Sequence, residues 1–124
     1  MSGIRVLLVD DEVEFTASMS RVLRRRGFNV EVADNGLAAL PLVAGKAFDV
    51  VVLDVKMPGM DGIQALQEIK RLSPETRVLV LTGHFSIGEE EELSAGGAYA
   101  YLLKPFPILK LVDLITSAAG HPSA

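Results

Sequence analysis

Four apolar runs in this chain end on side chains able to bind or transfer a charged group. RVLLV leads into Asp10 and Asp11; VVVL into Asp54; VLVL into Thr82; and YLL into Lys104. In parallel α/β sheets the carboxyl ends of the strands share one rim, so runs of this kind would bring their trailing residues together. Taken alone, an acid after a strand is commonly a helix cap, and Asp11 or Glu12 could be no more than that. The joint placement argues for more. At an effective dielectric of about 20, two carboxylates about 5 Å apart repel by roughly 3 kcal/mol, so Asp10, Asp11 and Asp54 need a compensating charge. Lys104 offers one ammonium. A hard divalent cation that takes carboxylates, a backbone carbonyl and several waters offers another, and that description fits Mg²⁺. The set suits neutralisation of an incoming polyanion better than a general acid/base pair. Thr82 adds a hydroxyl donor and Lys104 a point charge for the oxygens of such a ligand.

Five segments have the composition of strands: IRVLLV (4–9), NVEVA (29–33), DVVVL (49–53), RVLVLT (77–82) and AYAYLL (98–103). The first, third and fourth are nearly continuous in Val and Leu, as expected of strands covered on both faces. Helix-length segments separate them. Phe15, Met19, Val22 and Leu23 keep helical spacing before RRRG, where Gly27 suits a C-cap and Arg24 to Arg26 suit the helix dipole or a docking role. Pro41 interrupts LAALPLVAG and should kink the second helix or shift its start. Asp61 could cap a third helix carrying Ile63, Leu66 and Ile69 and stopped by Ser73-Pro74. The run Glu89 to Glu92 suits the solvated face of a fourth. A fifth begins near Pro107 with Ile108, Val112, Ile115 and Ala119 on its core stripe, leaving Leu109, Leu111 and Leu114 as surplus apolar surface for a partner or dimer contact. Alternating strands and helices predict a three-layer α/β sandwich.

Composition bounds the rest. With 124 residues, 49% apolar and 23% charged, the chain is expected to be one domain over 1–124 with its core at about 4–119 and no linker or second domain. The net charge of −4 argues against direct nucleic-acid binding, the absence of cysteine excludes disulfides and thiolate metal sites, and the two distant histidines make zinc improbable. No apolar run is long enough to span a bilayer and MSGIRVLLVD does not read as a signal peptide, so the expected location is cytoplasmic.

Asp10-Asp11, LDVKMPGMDG around Asp54, LTG at Thr82 and YLLKPF at Lys104 together resemble the receiver domains of two-component response regulators. The resemblance covers Ile4 to about Ala119. It implies a flavodoxin-like (βα)5 sandwich whose five-stranded parallel sheet has the order 2-1-3-4-5. It also implies that Asp54 accepts a phosphoryl group from the phosphohistidine of a sensor histidine kinase, from a phosphotransfer protein or from a small acyl phosphate. Asp11, Asp54 and the backbone carbonyl of Lys56 would hold Mg²⁺, with Asp10 acting mainly through water. Thr82 and Lys104 would bind phosphoryl oxygens, and Tyr101 would turn inward as an aromatic switch. The turn at Met57-Pro58-Gly59 would face Lys56 toward the metal, Lys56 and His84 would tune loss of the phosphoryl group, and Gly83 would leave it accessible. The Lys104-Pro105 peptide resembles the family's cis bond. A homodimer could form through the fourth helix, fifth strand and fifth helix.

Such a domain is a self-catalysed phosphoacceptor, not an enzyme that turns over an external substrate. A phosphorelay intermediate that passes the group on is one alternative. An acid-nucleophile phosphatase is another, but that chemistry wants a second acid two residues after the nucleophile, where Lys56 stands. A flavin binder would need a hydroxyl- and glycine-rich loop in place of Asp10-Asp11-Glu12.

Overall fold

Val6 and Leu8 of the first strand, β1 (Arg5–Val9), pack into one hydrophobic cluster and Leu7 and Val9 into another, with all four side chains buried. A strand that is apolar on both sides needs a layer over each face. The computed structural model, which describes residues 3–56, 62–83 and 88–120, supplies both layers. After β1 come α1 (Val13–Arg25), β2 (Asn29–Ala33), α2 (Gly36–Gly45), β3 (Val50–Asp54), α3 (Gly62–Leu72), β4 (Arg77–Thr82), α4 (Glu89–Ala95), β5 (Ala98–Leu103) and α5 (Ile108–Ala118). The strands form one parallel sheet in the order β2-β1-β3-β4-β5, the flavodoxin-like arrangement expected above.

One face of the sheet carries Leu7, Val9, Val51, Leu53, Val78 and Val80 against side chains of α2, α3 and α4. The other carries Val6, Leu8, Val50, Val52, Leu79 and Leu81 against Leu23 of α1 and Leu111, Ile115 and Ala118 of α5. Each fully buried Val or Leu contributes about 1.5–3 kcal/mol, which makes the three central strands the rigid base of the molecule.

Several elements differ in detail from the sequence pattern, and the reasons are local. β3 runs one residue later than DVVVL: at its start the Asp49 Oδ2 accepts the Arg5 N–H at 2.9 Å, and at its end the Val55 N–H bonds the Leu81 carbonyl at 3.2 Å. Asp54 is therefore the last paired residue of β3, opposite Leu81. In α1 the buried face includes Thr16 and Ser20, whose hydroxyls bond the carbonyls of Val13 and Ala17 and so enter the core satisfied. Pro41 does not shift the start of α2, which is fixed at Gly36 by the Asn35 side chain accepting the Ala38 N–H at 2.7 Å. Pro41 and Leu37 are both exposed, so the bond lost to the proline falls on the water side. In α5 the fully buried stripe is Leu111, Ile115 and Ala118, while Ile108, Val112, Leu114 and Ala119 flank it half-buried. Leu111 is thus core, not surplus surface; Leu109 is the exposed leucine, at 55%. The expected Asp61 cap, the Met57-Pro58-Gly59 turn and His84 lie outside the described residues.

Gly62 opens α3 directly under Val55, the residue after Asp54. A Cβ at Gly62 would overlap the Val55 Cβ and also its Cα and carbonyl oxygen, two backbone atoms that cannot swing aside. Gly62→Ala is expected to cost about 1–3 kcal/mol in urea unfolding. A neutral result would mean that α3 can slide away from the end of β3.

Candidate functional site

The rim at the carboxyl end of the sheet is built by backbone hydrogen bonds that continue the ladders past the strands. The Asp10 N–H bonds the Ala33 carbonyl at 3.1 Å, Val55 bonds Leu81 at 3.2 Å, and Lys104 bonds Thr82 at 2.8 Å. These hooks bring residues from four separate segments to one edge. Asp10, Asp54 and Thr82 are buried there, at 2%, 5% and 0% exposure, and Lys104 is partly covered. The Lys104-Pro105 peptide is cis.

The two buried aspartates are held in the same way. Oδ1 of Asp10 accepts the Glu12 N–H at 2.9 Å, and Oδ1 of Asp54 accepts the Lys56 N–H at 2.8 Å. Each bond reaches two residues ahead, an Asx-type turn that fixes the carboxylate. In both, Oδ2 faces Lys104. The Lys104 ammonium bonds Asp10 Oδ2 at 2.8 Å, Glu12 Oε1 at 2.8 Å and Asp54 Oδ2 at 3.4 Å. Phe15 of α1 supports it from the side, with its ring centroid 4.5 Å from Nζ and the Phe106 ring set against it nearly at right angles. A cation over an aromatic face contributes about 0.5–2 kcal/mol, depending on how dry the contact is.

The electrostatics follow from burial. Loss of solvent, reinforced by the charge of Asp10, pushes the Asp54 carboxyl above its ordinary pKa, although the Lys56 N–H and Lys104 pull the other way. For Lys104, burial is the largest single influence and opposes the ammonium. Its hydrogen bonds to Asp10 and Glu12 and the charges of Asp54 and Asp10 outweigh that, so the ammonium is held well above the usual lysine range. Three carboxylates, from Asp10, Glu12 and Asp54, each offer an oxygen within 4.8 Å of the others. One ammonium leaves two negative charges among them uncompensated. Hard carboxylate oxygens with that residual charge fit a divalent cation.

A family model described as the response regulator receiver domain matches residues 6–116. The chain belongs to the response regulator receiver domain family. The transcriptional regulatory protein ZraR of Klebsiella oxytoca is 39% identical over 123 residues, which are 98% of this chain and 28% of that protein. This receiver thus spans little more than a quarter of that relative's length. Among solved structures, a CheY-like response regulator receiver domain protein from Methanospirillum hungatei JF-1 gives a TM-score of 0.91 at 27% identity, over 94% of each chain. A response regulator from Burkholderia pseudomallei, solved with a phosphorylated aspartic acid, calcium ion and citrate, gives 0.86 at 30% identity over 94% of this chain and 69% of that one.

The fold of this receiver brings Asp10, Asp54 and Lys104 into direct contact and puts Thr82 at the end of β4, one residue past the partner of Asp54. Lys56 reaches the cluster through its N–H. Asp11 is exposed and is not one of the three grouped carboxylates. Tyr101 is 38% exposed, and its hydroxyl donates to Glu90 of α4 at 3.3 Å. Gly83 is exposed, with open space where a Cβ would stand. Two members of the site were not singled out from the sequence. Glu12 sits at the N-cap position of α1 but makes no side-chain cap bond there, because its carboxylate is on Lys104. Phe15 looked like one more core residue of α1. Its place three residues after Glu12, on the same face of a helix that starts at the rim, is the signal that could have found it.

Protons and a metal would compete for these oxygens. With the Asp54 carboxyl raised, Mg²⁺ affinity is expected to fall on acidification by roughly tenfold per pH unit once the pH is below that group's folded pKa. Calorimetric binding at a series of pH values from about 7 to 4 measures this. A flat profile would mean that the raised carboxyl lies outside the metal site.

Proposed function

We propose that this receiver accepts a phosphoryl group on Asp54 in a Mg²⁺-dependent reaction and uses it to switch a partner or dimer surface. The donor is the phosphohistidine of a sensor histidine kinase or phosphotransfer protein, or a small acyl phosphate. The observation that carries the reading is the Lys104 ammonium bonded across Asp10 and Asp54, with two negative charges left for a cation. The phosphorylated aspartic acid and calcium ion described for the Burkholderia pseudomallei relative support it.

Phosphoryl transfer asks for in-line positioning and neutralised charge more than for covalent help. A carboxylate oxygen of Asp54 attacks phosphorus, the P–N bond of the donor breaks, and the leaving imidazole takes a proton from water. Oδ1 of Asp54 stays oriented by the Lys56 N–H, while Lys104 exchanges a carboxylate partner for a phosphoryl oxygen. The Thr82 hydroxyl donates to another. Asp10, Asp11 and Asp54 with the Lys56 carbonyl would hold Mg²⁺, which supplies charge neutralisation at the transferring group.

The product is a mixed anhydride whose formation can bias a two-state surface. In this reading the surface is the α4-β5-α5 face. Tyr101, now bonded to Glu90, turns inward as Thr82 moves toward the phosphoryl group. Exposed Tyr99, Leu103 and Leu109 on β5 and α5 give that face the apolar area a kinase output or a second copy would cover. The chain acts as a phosphoacceptor with self-catalysed dephosphorylation, and a cytoplasmic location goes with that role.

The test is the fate of the label. After incubation with acetyl phosphate, one phosphoryl group per chain that hydroxylamine releases is the expected result, as for an acyl phosphate. Continuous release of phosphate from an ester substrate with no protein-bound group would favour the phosphatase alternative.

A further inference from the structure

Lys56 and Glu89 form an ion pair of 2.6 Å between the residue that follows β3 and Val55 and the first residue of α4. The pair is not a freely solvated one. The Glu89 side chain keeps only 17% of its exposure and that of Lys56 40%, whereas Glu90, Glu91 and Glu92 are all exposed. One acid of a run that looks like a solvated helix face is thus turned inward onto a specific lysine.

That lysine is two residues from Asp54 and gives its N–H to the Asp54 carboxylate. Its flexible stem starts beside the acid cluster, so its ammonium has two acidic destinations, α4 or the rim. Charge decides what is at stake. Asp10, Glu12 and Asp54 set against Lys104 leave two negative charges, and the exposed Asp11 between Asp10 and Glu12 adds a third, so the rim attracts a divalent cation. A second ammonium at the rim would cancel one of them and take with it much of the attraction for the cation.

We infer that Glu89 is a positioning residue for the metal and phosphoryl site: by holding the Lys56 ammonium on α4, it keeps the Asp10–Glu12–Asp54 cluster open to a divalent cation. The inference rests on the phosphoacceptor reading above and extends it to α4. A phosphoryl group that draws Lys56 off Glu89 also releases the first turn of that helix, so the same ion pair connects the site to the face that is to switch.

The test is Mg²⁺ affinity, measured by calorimetry on the full chain for wild type, Glu89→Gln, Lys56→Ala and the double variant. Glu89→Gln is expected to weaken Mg²⁺ binding about 5–10-fold, because the freed ammonium moves to the rim. Lys56→Ala removes the ammonium and spares the backbone carbonyl, and is expected to tighten binding roughly twofold. In that background Glu89→Gln is expected to change affinity by less than about twofold, so the two substitutions are strongly non-additive. If both single variants weaken binding alike, the pair merely anchors α4 and the inference is wrong. It is equally overturned if Glu89→Gln has no effect, or the same effect with and without Lys56. A wild type that binds no Mg²⁺ at all would remove the phosphoacceptor reading itself, and this inference with it.

Discussion

Asp54→Asn is expected to abolish phosphoryl uptake while leaving the fold intact and more stable without metal. The amide is nearly isosteric and keeps an oxygen to accept the Lys56 N–H, so the turn after β3 survives. It has no anionic oxygen with which to attack phosphorus, so uptake from acetyl phosphate should fall by at least about a hundredfold. The stability change has the opposite direction. Burial and Asp10 raise the Asp54 pKa, so the native state holds that proton more tightly than the unfolded chain does. Its contribution to stability is present at low pH and is lost as the pH rises through the raised pKa. At neutral pH the ionised group is a burden, and removing it should stabilise the metal-free protein in urea unfolding with chelator present. A variant that takes up phosphate undiminished would remove Asp54 from its role. One that loses uptake because it is unfolded would instead show that the carboxylate is needed for structure.

Lys104→Ala should act in the reverse sense. Asp10 and Asp54 share its ammonium and are almost wholly buried, so the substitution leaves two desolvated carboxylates facing each other with Glu12 beside them. Breaking a buried ionic group from one side commonly costs about 3–5 kcal/mol; with Lys104 partly exposed, a loss of about 2–4 kcal/mol is expected in chelator. Mg²⁺ should restore most of it. Phosphoryl uptake should drop about 10–100-fold without vanishing, since the nucleophile remains and the cation still neutralises part of the charge. The larger consequence is for signalling. With no ammonium to bind the phosphoryl oxygen, the phosphorylated variant should show the same partner affinity or self-association as the unmodified one. A shift equal to that of wild type would show that another group carries the switch.

Much of this architecture is legible in the residues themselves, for a physical reason. Strands of a parallel sheet are apolar on both faces, so VLLV, VVVL and VLVL stand out, and the acids, hydroxyl and lysine at their ends share one rim. What is not legible is set by tertiary contact. The end of β3 depends on the Val55 N–H reaching the Leu81 carbonyl across the sheet, which makes Asp54 the strand's last pair and not the residue after it. The stripe of α5 is ambiguous because Ile108 and Val112 and also Leu111 and Ile115 keep helical spacing, and only packing on the sheet chooses the second pair. At the rim, the three successive acids are equivalent as letters. The turn made by the Asp10 carboxylate on the Glu12 N–H aims Glu12 back at Lys104 and leaves Asp11 exposed. The Glu89 side chain is separated from its neighbours in the same fashion, by a lysine 33 residues away.

The central claim is that lysine and cation together allow a carboxylate in an acid cluster to receive phosphorus. The most direct measurement is peptide mass spectrometry of the chain after exposure to acetyl phosphate, once with Mg²⁺ and once with chelator. One phosphoryl group on the peptide containing Asp54, present with Mg²⁺ and absent with chelator, is the expected result. Modification at another residue, or equal modification of Asp54 without the cation, would contradict it.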